Sequence, residues 1–122
     1  MLKWRILVIE DDDIVRDTIE LLLKYKGYQV VTSVNGLDVD SQVEDFKPDL
    51  VLTDIYLGES DGREICQSLK NNPETSHIPV IIMSGASSDI YNTIVGVGAN
   101  DIVLKPFDEQ TLINRVQRQL SA

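Results

Sequence analysis

Five positions carry groups that can act together: the adjacent acids Glu10 and Asp11, the single acid Asp54, the hydroxyl of Ser84 and the ammonium of Lys105. Each closes a short apolar stretch. Glu10-Asp11 follow Ile6-Leu7-Val8-Ile9, Asp54 follows Leu50-Val51-Leu52-Thr53, Ser84 follows Ile78-Pro79-Val80-Ile81-Ile82-Met83, and Lys105 follows Asp101-Ile102-Val103-Leu104. An ionised carboxylate is costly where water is scarce, so an acid at the end of a buried strand is there for something other than packing. Three such carboxylates brought together repel by roughly 4 kcal/mol per pair at a separation of about 4 Å and an effective dielectric near 20. A cluster of this kind calls for a cation. Oxygen-only ligands favour Mg2+ or Ca2+ over zinc, and the lone His77 and Cys66 are not placed to build a zinc site. Two or three carboxylates with room for water suit Mg2+ better than Ca2+, which takes about 6–8 oxygens. Ser84 and Lys105 then complete a site for an oxyanion held between a metal and a cation.

Whether these groups meet depends on the elements that carry them. Ile6 to Ile9 is apolar at every position, as in a strand covered on both faces. Asp13 is placed to cap a helix running to about Lys26, with Val15, Ile19, Leu22 and Leu23 at helical spacing and Gly27 as its stop. Gln29 to Ser33 reads as a second strand and Gly36 to about Phe46 as a weaker helix closed by Lys47-Pro48. Leu50 to Thr53 is a third strand. Gly58-Glu59-Ser60-Asp61-Gly62 reads as a loop, with Ser60 or Asp61 capping a helix packed through Ile65 and Leu69 and ended by Asn71-Asn72-Pro73. Ile78 to Met83 is a fourth strand, followed by a turn from Ser84 to Ser88. Asp89 to Val97 is a poor helix by propensity, because of Asn92, Thr93, Val95 and Gly96. Asp101 to Leu104 is a fifth strand, and Asp108 caps a last helix with Leu112, Val116 and Leu120 on one face. Five apolar strands alternating with five helices predict an α/β fold, a parallel sheet covered on both sides. In the flavodoxin-like order 2-1-3-4-5, a three-layer (βα)5 sandwich, ligands collect beyond the carboxyl ends of the first and third strands, where Glu10, Asp11 and Asp54 would meet.

At 122 residues the chain is expected to form a single domain over 1–122 with no output domain, standing alone or cut from a longer protein, and its 43% hydrophobic and 25% charged content is that of a globular protein. The net charge of −9, without any run of basic residues, argues against direct nucleic-acid binding. Cys66 is the only cysteine, so no intrachain disulfide can form and a reducing compartment is expected. Glu10-Asp11-Asp12-Asp13 interrupts the apolar start too early for a signal peptide, and no segment approaches the roughly 20 apolar residues of a membrane span. A cytoplasmic protein is expected. Asp12 and Asp13 read as solvated acids at a helix start. Cys66 reads as a small apolar residue, His77 as a loop residue and Trp4 as an apolar edge residue.

Ile6-Leu7-Val8-Ile9-Glu10-Asp11-Asp12, Asp49-Leu50-Val51-Leu52-Thr53-Asp54, Asp61-Gly62, Ile78-Pro79-Val80-Ile81-Ile82-Met83-Ser84, and Gly98-Ala99-Asn100-Asp101 running into Lys105-Pro106-Phe107 occur in this order. Together they make the chain resemble the receiver domains of two-component response regulators over essentially its whole length. The resemblance implies that Asp54 accepts a phosphoryl group from a phosphohistidine on a sensor histidine kinase or a histidine phosphotransfer protein. It implies that Asp11 binds Mg2+ directly, Glu10 chiefly through water, and the backbone carbonyl of Tyr56 as a further ligand. Ser84 and Lys105 would hold the phosphoryl oxygens, and the Lys105-Pro106 bond would be cis. The output would be a switched surface for a downstream protein, read as a monomer or a weak phosphorylation-dependent dimer. The chain departs from the pattern at Ile102, where the family usually carries Tyr or Phe, so no aromatic rotation can report the switch there. Gly58 stands where Pro is common and Ser60 where Met is common, which loosens the loop after Asp54. Tyr56 and Ala86 occupy positions that in the family tune the lifetime of the phosphoryl group. Two other readings compete: a pseudo-receiver that is not phosphorylated, whose mark would be loss of the acid pair, Asp54 or Lys105, and a metal-dependent phosphatase, which would need a further acid–base residue near Asp54 and usually a lid, for which no insertion is long enough.

Overall fold

A computed structural model describes residues 3–85, 92 and 96–121. The elements follow in the order β1 (Arg5–Ile9), α1 (Asp13–Tyr25), β2 (Gln29–Ser33), α2 (Val39–Phe46), β3 (Leu50–Asp54), β4 (Tyr56–Leu57), β5 (Ser60–Asp61), α3 (Gly62–Asn71), β6 (Val80–Gly85), β7 (Asp101–Lys105) and α4 (Glu109–Ser121). Five strands form one sheet in the order β2-β1-β3-β6-β7. Every neighbouring pair in it is parallel, which is the flavodoxin-like order expected from the sequence.

The all-apolar strands explain why both faces are covered. Side chains alternate across a strand, so Leu7, Ile9, Val51, Val80 and Ile82 point to one face and pack with Val39 and Val43 of α2 and Cys66 and Leu69 of α3. Ile6, Val8, Leu50, Leu52, Ile81, Met83 and Val103 point to the other and pack with Ile19 and Leu23 of α1 and Leu112, Ile113 and Val116 of α4. Each fully buried side chain of this size contributes about 1.5–3 kcal/mol.

Several boundaries differ from the sequence reading. The cap of α1 is Asp12, whose Oδ1 accepts from the N–H of Ile14 at 2.9 Å and of Val15 at 3.0 Å, and Asp13 is the first helical residue. An acid one residue earlier serves both first-turn amides, which is why it displaces Asp13. Gly27 follows the helix at φ +97°, a conformation open to glycine. α2 starts at Val39 rather than Gly36, and its capping residue Lys47 lies at φ 53° before Pro48. Ser84 and Gly85 extend β6 rather than starting a turn, because they continue the parallel register with Leu104 and Lys105. Residues 58–62 are not a plain loop: β4 and β5 pair as a short antiparallel hairpin, Tyr56 opposite Asp61 and Leu57 opposite Ser60, with Gly58 at φ +71° in its turn. Ala86 and most of the expected helix 89–97 lie outside the described residues.

Candidate functional site

β1 and β3 are neighbours, with Ile9 opposite Thr53, so the residues that follow them emerge side by side at the carboxyl edge of the sheet. Glu10, Asp11 and Asp54 each offer a carboxylate oxygen there, and these oxygens lie within 4.8 Å of one another. The three differ in access: Glu10 is fully buried, Asp54 is half-buried and Asp11 is exposed. Lys105 arrives from the far edge strand. Its Nζ donates to Glu10 Oε1 at 2.5 Å and to Asp54 Oδ2 at 2.8 Å. The other oxygen of Asp54, Oδ1, accepts from the N–H of Ile55 at 2.8 Å. One ammonium thus offsets two of the three acids, and a backbone N–H orients the Asp54 carboxylate.

The charges respond accordingly. Burial pushes the Glu10 carboxyl up; the bond from Lys105 pulls it back and the charge of Asp54 adds to the rise, leaving it above the usual carboxylate range. Burial alone would push the Lys105 ammonium down, but its bonds to Asp54 and Glu10 and their charges outweigh burial and hold it above its ordinary value. Lys105 therefore stays charged at neutral pH. An all-oxygen set of three carboxylates, one of them open to water, fits a hard divalent cation such as Mg2+ whose remaining ligands are waters or substrate oxygens.

Ser84 reaches the same edge, one residue beyond Met83, which is the register partner of Asp54. Its buried hydroxyl donates to the Gly85 carbonyl at 2.8 Å, and among the described residues it makes no bond to the acids or to Lys105. Tyr56 opens β4, two residues past Asp54; the residue is 71% exposed, with the Arg63 guanidinium 5.9 Å from its ring centroid. Asp61 caps α3 through the N–H of Arg63 at 2.8 Å and holds the Arg63 guanidinium as well. The Lys105-Pro106 peptide bond is cis.

Two contributors were given no role in the site from sequence, although Gly62 stands in the Asp61-Gly62 motif. Gly62 donates its N–H to the Ile55 carbonyl at 2.7 Å, and a Cβ there would collide with the Asp54 carbonyl. A glycine directly after a capping acid was visible, but the reason for it is a close approach across the chain. Arg16 donates to the Glu10 carbonyl; its spacing from Asp13 was readable, its reach to Glu10 was not. Cys66 is buried, donates to the Val97 carbonyl at 3.3 Å, and burial pushes its thiol up to about 11, so it packs rather than reacts. His77 lines a cavity of about 830 Å³ between α2 and α3, a cavity that includes none of the site residues.

The family model of the response regulator receiver domain matches residues 6–117. The chain belongs to the response regulator receiver family. This receiver is 35% identical over 118 residues to the DNA-binding dual master transcriptional regulator RpaA of Synechocystis, covering 95% of this chain and 48% of that protein. It spans about half the length of the curated relatives it matches. Among solved structures, a Chloroflexus aurantiacus protein described as a response regulator superposes with a TM-score of 0.94 at 29% identity, covering 99% of this receiver and 100% of that chain. The signal receiver domain of a signal transduction histidine kinase from Syntrophus aciditrophicus gives 0.90 at 30% identity, covering 97% and 90%. The receiver thus shares its family with both kinase-attached and regulator-attached modules. No described helix is long and apolar enough to cross a membrane.

Proposed function

We propose that residues 1–122 act as one phosphoacceptor unit in two-component signalling, with Asp54 as the nucleophile, and that the unit works in the cytoplasm. The observation that carries this reading is the junction of Glu10, Asp11 and Asp54 with Lys105 bonded to two of them, in a chain of the receiver family. A carboxylate oxygen of Asp54 attacks the phosphorus of a phosphohistidine on a sensor histidine kinase or histidine phosphotransfer protein. The P–O bond forms as the P–N bond breaks, and the bonding pair returns to the imidazole. Glu10, Asp11 and Asp54, with the carbonyl of Tyr56, would hold Mg2+, which when bound supplies positive charge against the phosphoryl oxygens. The backbone N–H of Ile55 fixes the attacking carboxylate, so the reaction draws mainly on positioning.

Once Asp54 carries the phosphoryl group as an acyl phosphate, Lys105 exchanges its carboxylate partner for a phosphoryl oxygen, and Ser84 turns its hydroxyl from Gly85 toward another. That exchange shifts the Ser84-Gly85 end of β6 and presents a different surface to a downstream protein partner, as a monomer or a weak dimer. Hydrolysis reverses the step: water adds to phosphorus, the bond to Asp54 breaks, and carboxylate and inorganic phosphate result. The unit therefore catalyses only its own phosphorylation and dephosphorylation and acts on no foreign substrate.

Incubation with acetyl phosphate and Mg2+, followed by intact-mass spectrometry, tests the reading. A hydroxylamine-labile phosphoryl adduct is expected, lost in Asp54→Asn and with chelator. An unmodified wild-type protein under those conditions supports the pseudo-receiver reading in its place.

A further inference from the structure

Arg16, in the first turn of α1, reaches back across the loop that carries Glu10 and Asp11. Its Nη1 donates to the Glu10 carbonyl oxygen at 3.1 Å and its Nη2 to Asp13 Oδ1 at 2.6 Å. The Arg16 side chain is only 14% exposed, whereas that of Asp13 is 82% exposed. The guanidinium is largely withdrawn from water where it meets the main-chain carbonyl, although its other partner, Asp13, stays exposed and would pair with it without such burial. The Glu10 N–H donates to the Ser33 carbonyl at 3.0 Å, so the main chain of Glu10 is held by β2 on one side and by Arg16 on the other. Asp12 adds a third tie, its N–H reaching Glu10 Oε2 at 3.3 Å.

We infer that Arg16 is a positioning residue that fixes the Glu10-Asp11 main chain in the arrangement needed to bind Mg2+, an inference that rests on the metal-dependent phosphoacceptor reading. Its charge alone works in the opposite direction, because a cation near three carboxylates competes with a metal. The anchoring role is therefore separable from the electrostatic one. Removing Arg16 and Asp13 together takes away one cation and one anion, leaves the field at the cluster nearly unchanged, and deletes the anchor. Partners that orient metal ligands without touching the metal commonly account for about 10–100-fold in affinity.

Calorimetric titration of the full chain with Mg2+ tests this. Asp13→Asn, which keeps the bond to Glu10, is expected to bind within about threefold of wild type, and Arg16→Met/Asp13→Asn at least about tenfold more weakly. A folded double variant with wild-type affinity overturns the inference, as does a loss in Asp13→Asn equal to that of the double variant. Should the double variant not fold by circular dichroism, Arg16→Lys replaces it. A single ammonium cannot hold both acceptors in the guanidinium geometry, so Mg2+ binding weakened by at least about threefold is expected, and unchanged binding overturns the inference. Failure of the wild-type protein to bind Mg2+ removes the phosphoacceptor reading itself and Arg16's role with it, whereas wild-type binding with unaffected variants removes only the role of Arg16.

Discussion

A Cβ at Gly62 would stand 1.9 Å from the carbonyl oxygen of Asp54. The obstacle is backbone and cannot swing aside as a side chain would. The first turn of α3 thus lies directly against the main chain of the proposed nucleophile, and the Thr53 hydroxyl donates to the same Asp54 carbonyl at 3.0 Å. Gly62→Ala is expected to push α3 outward, break the bond from Gly62 to the Ile55 carbonyl, and cost about 3 kcal/mol. Urea denaturation measures it. A loss below about 1 kcal/mol would mean that α3 withdraws freely and that the contact sets nothing.

Lys105→Ala leaves Glu10, which is fully buried, without its cation. Breaking a buried pair usually costs about 3–5 kcal/mol, but Lys105 is 24% exposed and water can partly replace it, so about 2 kcal/mol is expected in the absence of metal. Saturating Mg2+ should restore more stability to this variant than it adds to wild type, because the acids are then free of a competing ammonium. The protein should stay folded and lose the spectral difference between its phosphorylated and unphosphorylated forms. Equal Mg2+ increments in the two proteins, read from denaturation curves, would count against the competition; an unchanged spectral difference would remove Lys105 from the switch.

Asp101 gives a pH dependence away from the site. Burial pushes its carboxyl up, but Arg118, the N–H of Ile102 and Arg115 together hold it below the ordinary aspartate value of 3.8. A carboxylate whose folded pKa is depressed contributes stability that is complete above its unfolded pKa and disappears as pH falls through the folded one. Asp101→Asn should therefore cost about 1–2 kcal/mol near neutrality, toward the low end because Arg118 is 61% exposed and stays hydrated. The gap between variant and wild type should close as pH falls below 3.8. Chemical denaturation across an acid pH series checks it; a constant gap would place the cost in packing.

The sheet order and the meeting of Glu10, Asp11, Asp54 and Lys105 were legible because they follow from strand count, apolar runs and the rule for parallel crossovers. What was not legible depends on contacts between distant segments. The hairpin of Tyr56–Leu57 with Ser60–Asp61 carries none of the long alternation that marks a strand. It is held partly from outside, since Ser60 Oγ accepts from the Gly36 N–H at 3.2 Å. The Ser84 hydroxyl was correctly placed at the sheet edge, but its bond to the Gly85 carbonyl could not be read from residue types. Asp12 displaced Asp13 as cap because four consecutive acids offer more than one register, and only the turn geometry selects between them.

The bond between Lys105 and Glu10 spans 95 positions of sequence, and that between Lys105 and Asp54 spans 51. Because β7 is an edge strand added beside β6, a chain emerging from the ribosome carries both acids long before their shared cation exists. Such a nascent chain carries Glu10 and Asp54 without the Lys105 ammonium that joins them in the folded protein. On the proposed function, a product truncated before β7 would lack the group that reads out phosphorylation and would be silent rather than constitutively active.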